Sequence, residues 1–234
     1  MASILSGLQT LQENTINKSI VPVALETMRL FPDALVVVSG IFAILMQSVP
    51  YGVFCGSLVE ATVIYRLIKF AANYANVSGI IQPTAESFTS QCRSGFVYPS
   101  ASMLSMSMFG EEPLGPSFPS IPIYMLATAS SYVFSTLNQQ TKELEALGPA
   151  YSSRYYMSAI LLLMLLAFFV MFRVAFNCES VGVQLISALI GLVLGYLLVQ
   201  QNLRLFGAQS INLIGIPLLR NRTAGGKKLY VCPK

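Results

Sequence analysis

YMSAILLLMLLAFFVMFRVAF (residues 156–176) and VGVQLISALIGLVLGYLLVQ (residues 181–200) decide how this chain is read. The first holds one charge, Arg173, and the second holds none. Each run is about 20 residues long, which at roughly 1.5 Å per helical residue is enough to cross a hydrocarbon layer about 30 Å thick. The composition agrees. Of 234 residues, 54% are hydrophobic and 10% are charged, whereas soluble domains carry about 25% charge. So few charges cannot cover a water-facing surface. Lipid is the expected solvent of both stretches.

Moving outward from them, residues 120–137 read as a third span. Two weaker candidates precede it. Residues 34–56 are broken by Pro50 and hold Gln47, and residues 57–73 carry Glu60, Arg66 and Lys69. Glu60 and Arg66 are too far apart for a helical i,i+4 pair, so these charges are expected to face neighbouring helices or to snorkel. The expected fold is all-α: a multi-pass transmembrane helical bundle of four to five spans, with a long external loop. It divides into an amphipathic N-terminal segment (1–33), the membrane bundle including loop 74–119 (34–202), and a basic C-terminal tail (203–234).

In the first segment Ile4, Leu5, Leu8, Leu11, Ile16 and Ile20 fall near helical spacing. Such a helix lies on a membrane surface or packs on a protein partner. No basic start leads into an apolar run and a small-residue cleavage site, so a cleavable signal peptide is not expected. Ala2 stands where myristoylation needs glycine. The 74–119 stretch is rich in Ser, Pro and Gly, and a loop of that length is commonly functional or bound to a partner. Its apolar piece, residues 101–109, is too short to span.

Orientation follows from the basic flanks. Arg204, Arg220, Arg222, Lys227, Lys228 and Lys234 lie after the last span with no acidic residue among them, which places that end in the cytoplasm. Counting back puts loop 177–180 outside, loop 138–155 inside and the 74–119 stretch outside. Five spans would leave the N-terminus outside.

Ser187, Gly191 and Gly195 recur every four residues and share one helix face. Small residues there let two backbones approach closely, within the chain or between subunits. The cysteines, Cys55, Cys92, Cys178 and Cys232, form no Cys-x-x-Cys pair. Neither a zinc site nor a disulfide framework is implied. Cys92 and Cys178 share a side of the expected topology and could pair. No phosphate loop is present and no carboxylates cluster in the firm spans, so no cofactor, metal or nucleic-acid partner is expected.

The third span opens as FPSIPIYMLATASSYVF (118–134), and RVAFNCESVGVQLISALIGLVLGYLL (173–198) follows the next helix. In helix order and spacing, roughly residues 90–200 resemble the phosphatidic acid phosphatase type 2 membrane proteins. That family starts a helix with Pro-Ser-Gly-His and later places an arginine, a histidine and an acid. Pro119 and Ser120 match, but Ile121 and Pro122 replace the glycine and histidine. Arg173 matches the arginine, the nucleophile position falls near Glu179, and its orienting acid falls near Val183 or Gln184. The upstream Lys…Arg-Pro element is not matched convincingly, Gln82–Pro83 being nearest.

The chain contains no histidine at all. The mechanism that the resemblance implies needs one imidazole as nucleophile and another as acid. Catalytic residues are therefore expected to be absent, and the chain to be a non-enzymatic relative of that fold. A cysteine nucleophile at Cys178, beside Glu179, would likewise lack an imidazole base. The expected role is structural: anchoring or organising an assembly. Partners would be the lipid bilayer and other structural or membrane proteins, reached through loop 74–119 and the tail.

The tail's Arg220, Arg222, Lys227 and Lys228 suit anionic headgroups or simply set topology. Its 211–219 and 229–231 runs suggest docking on a protein. Together with the histidine-free bundle, this tail is similar to internal-membrane or minor capsid proteins of large icosahedral DNA viruses, which link a virion inner membrane to its shell. The alternative is a lipid-binding protein. There Ser117, Ser120 and Arg173 would contact a lipid headgroup or other anion at a helix start, without hydrolysis. Arg173 alone near a helix end otherwise reads as a snorkelling anchor.

Overall fold

The structure is a computed structural model, and it describes residues 21–75, 96–97, 105–106, 118–141, 144–145, 149–176 and 178–214. Five long helices follow in order: α1 (Val21–Leu45), α2 (Val49–Tyr74), α3 (Ile121–Gln139), α4 (Pro149–Ala175) and α5 (Val181–Phe206). A 3-10 turn, Ala208–Ile211, closes the described chain. Within the 74–119 stretch, β1 (Phe96–Val97) pairs antiparallel with β2 (Ser105–Met106), a ladder that takes in part of the 101–109 apolar piece. The fold is all-α.

The helix boundaries correct the expected segmentation. The break between the first two helices falls at residues 46–48, where Gln47 takes φ 46°, and not at Pro50. Pro50 sits in the first turn of α2. There its missing N–H would have had no partner anyway, and its fixed φ suits a helix start. Pro122 plays the same part in α3. α1 also runs through the boundary drawn at residue 33, carrying Pro32 inside it. The far end of α5 is closed by Gly207 at φ 79°, whose N–H bonds back to Leu203.

α3 and α5 form the most extensive helix pair. They run the same way. At their starts the Ser120 N–H donates to Ser187 Oγ (2.8 Å), and near their ends the Asn202 side chain donates to Tyr132 (3.0 Å). A Cβ built on Gly191 would stand 2.5 Å from the Tyr124 carbonyl oxygen, and one on Gly195 would overlap the Thr128 carbonyl. Bare glycine is what allows the approach. The Ser187, Gly191, Gly195 face therefore meets a helix of the same chain.

α3 is the buried centre rather than a lipid-facing rod. Apart from Val133, Phe134 and its final residues, its side chains are buried. α2 is tied across it by two tyrosines: Tyr124 donates to the Ala61 carbonyl (2.8 Å) and Tyr65 to the Pro119 carbonyl (3.2 Å). The main core joins α1, α2, α3 and α5, with Leu58, Tyr65, Met125, Leu198 and Ile211 within it. Ile211, expected to start a docking run, instead packs inside its own bundle. A second core gathers Met28 of α1, Ile123 and Leu126 of α3 and Phe169 of α4.

Among the described residues, two helices are long and apolar enough to cross a membrane, Tyr155–Ala175 of α4 and Val181–Phe206 of α5. Only 11% of the α4 apolar window is buried. A core helix of a water-soluble protein would bury most of that surface. Here Leu161, Leu163, Met164 and Met171 stand outward on α4, and Leu185, Leu189 and Val193 on α5. α4 touches α3 and α5 lightly and leaves an apolar cleft of about 370 Å³ along Ser130, Phe134, Leu163 and Leu192.

Substitution Gly195→Ala should destabilise the detergent-solubilised chain by about 2 kcal/mol, because the facing backbone cannot yield as a side chain would. Gly182→Ala, whose Cβ meets nothing within 4 Å, should be neutral or mildly stabilising. Thermal unfolding compares the two. Equal losses would sink the close-approach account.

Candidate functional site

The residues that the phosphatase-like order singles out meet at one end of the bundle. Phe118 before α3, Val183 in the first turn of α5 and Ala72 in the last turns of α2 form a small apolar cluster there. The Phe118–Pro119 bond is cis. Ser120 precedes the first turn of α3, its side chain fully buried beside Ser187. Gln184 lies one turn before Ser187 on α5, also fully buried. Among the described residues, the Ser120 hydroxyl oxygen and Gln184 Oε1 have no hydrogen-bond partner.

Arg173 does not snorkel. It is 4% exposed, and its guanidinium grips Glu179 with Nη2 on Oε1 at 2.6 Å and Nε on Oε2 at 3.1 Å. A planar guanidinium and a carboxylate match as a fork, which makes this geometry strong and directional. The tight turn between α4 and α5 brings the two together. The Cys178 N–H bonds back to the Arg173 carbonyl (3.0 Å), Gln184 Nε2 holds the Glu179 carbonyl (3.3 Å), and Ser180 caps α5 by accepting from the Val183 N–H (3.3 Å). Glu179 thus fills the place on Arg173 that a phosphate oxygen pair would take.

Cys178, inside the same turn, is disulfide-bonded. The bond is compatible with the expected topology, in which Cys178 could pair with Cys92 although no disulfide framework was implied. It also removes the thiol that a cysteine nucleophile would need. Cys55 is a free thiol, and Cys92 and Cys232 lie outside the described residues. Ser117 and the basic tail residues Arg220, Arg222, Lys227 and Lys228 also lie outside them. Among the described residues no three His, Cys, Asp or Glu side chains gather as a metal site.

Sequence reasoning brought Ser120, Arg173 and Ser187 to notice and missed a second polar cluster at the opposite end. Asn202 donates to Ser57 Oγ (2.7 Å) and to Tyr132 (3.0 Å), joining α5, α2 and α3. Asn202 falls just beyond the expected helix end, and no sequence spacing links it to either partner. No family model, curated protein or solved structure matches the chain.

Removing Arg173 strands a buried carboxylate, so Arg173→Ala should cost about 3–5 kcal/mol in unfolding experiments. Pairing Arg173→Met with Glu179→Leu should recover much of it, because two apolar groups leave no orphan charge. A double variant as unstable as the single one would show that the ion pair is not the reason.

Proposed function

We propose that the chain is a non-enzymatic, multi-pass membrane protein that anchors or organises an assembly. The observation that carries this reading is the buried Arg173–Glu179 pair. The one arginine at the phosphatase-like position is committed to an internal carboxylate, and no imidazole exists in the chain to act on a phosphoester. The same pair weakens the lipid-headgroup alternative, since Arg173 is not held ready for an anion. Asn202, Ser57 and Tyr132 satisfy one another within the bundle, as a packing element does.

The outward apolar faces support five spans, with α3 shielded at the centre by its neighbours. Values for α1 and α2 agree: Phe42 and Ile44 on the first, Val63 and Phe70 on the second, stand outward. Lipid is the medium in which such faces cost nothing. Two independent chemical marks support the orientation. The disulfide of Cys178 suits the oxidising side of a membrane, and Arg204 with the basic tail suits the cytoplasmic side. In its specific form the reading is a protein of a virion inner membrane. There, loop 74–119 and the tail present opposite faces to the shell and the interior.

Purified protein should release no phosphate from phosphomonoesters or phosphatidic acid, and native membranes or particles should retain the chain through an alkaline carbonate wash. Crosslinking at native expression should join residues 74–119 or the tail to a structural protein. Release by carbonate would overturn membrane insertion. A chain recovered alone, without crosslinks, would overturn the anchoring role.

A further inference from the structure

One strip of the outer surface breaks the apolar pattern. Glu60 stands about 16 Å into α2, three helical turns from Val49. Both of its carboxylate oxygens accept from Gln201 Nε2 of α5, each at 3.1 Å. An amide supplies no positive charge. Arg204 lies one turn beyond Gln201 on α5 and is exposed. Among the described residues neither Glu60 nor Arg204 has an ionic partner, while Arg66 and Lys69 of α2 make contacts of their own. Around the pair the surface is apolar: Val63 and Leu67 on α2, Leu197 and Leu205 on α5, all exposed.

In water such an acid and base would be solvated and need no explanation. On the membrane reading proposed above, on which this inference rests, a carboxylate set among outward apolar side chains, with no cation beside it among the described residues, is expensive and is normally matched by a partner group. Glu60 and Arg204 are complementary, they belong to one face, and they do not meet within the chain. A two-fold interface makes residue i meet j and j meet i. One such contact would neutralise both acids and both arginines at once.

We propose that two copies of this chain associate through the outer α2–α5 face, Glu60 of each pairing with Arg204 of the partner subunit. Val63, Leu67, Leu197 and Leu205 supply the apolar border of the contact. Gln201 keeps the carboxylate of Glu60 oriented toward the partner. The two-fold axis runs along the membrane normal, so both copies keep the same orientation.

The test uses the full chain in lipid nanodiscs and in detergent, with stoichiometry by light scattering and dissociation by dilution of fluorescently labelled protein. Wild type should be dimeric. Glu60→Arg and Arg204→Glu should each weaken association by about tenfold or more, and the double exchange should restore it to within about threefold. If a reversal fails to fold, Glu60→Gln and Arg204→Gln, which introduce no new charge, should weaken the dimer in the same direction. A monomeric wild type overturns the proposal. So does a dimer indifferent to these changes, a double exchange that restores nothing, or crosslinks from position 60 to a different polypeptide. A detergent-requiring monomer would leave the membrane reading standing. A chain monodisperse without detergent would sink that reading whatever its stoichiometry.

Discussion

Backbone-to-backbone contact between α3 and α5 is the constraint on which the other features rest. Two helices can approach this closely only where one of them has no side chains in the way, and Gly191 and Gly195 provide that gap. The approach sets the register. Once Gly195 is seated against Thr128, Ser187 must fall beside Ser120 and Asn202 beside Tyr132. Ser131 is then placed to donate to the Leu192 carbonyl at 2.6 Å. Ser187, Ser131 and Asn202, which would be costly unpaired in an apolar interior, find partners because of one packing decision.

The turn between α4 and α5 inherits its geometry from that seat. With the start of α5 fixed by α3, the chain must reverse between Ala175 and Val181. Arg173 and Glu179, at the two ends of the reversal, are thereby brought into fork contact. The pair is expensive to form in isolation and secure once formed, because separating it would leave a charge in a dry place. The pair holds the corner between α4 and α5.

The long apolar runs were legible because their evidence is additive: residues 156–176 and 181–200 each sum many small transfer preferences into one unambiguous signal. The small-residue face of α5 was legible for a related reason, since spacing alone puts Ser187, Gly191 and Gly195 in line. What escaped depended on direction or on distant partners. Arg173 was placed at the correct helix end, but sequence does not say which way a side chain faces, and it turned inward. Pro50 was read as a breaker because it cannot continue a helix, yet the same property suits it to begin one. Asn202 depends on Ser57 and Tyr132, residues far along the chain, with no local trace.

The parallel course of α3 and α5 has a consequence for how the protein is made. α3 leaves the ribosome well before the helix that covers it, because α4 comes between them. For that interval the hydroxyl-bearing side of α3, with Thr128, Ser131 and Ser135, lacks its cover. On the membrane reading, a segment of that polarity is a poor candidate for release into lipid by itself. Biogenesis of this chain would then require the insertion machinery to shelter one helix until another, synthesised some 60 residues later, arrives to claim it.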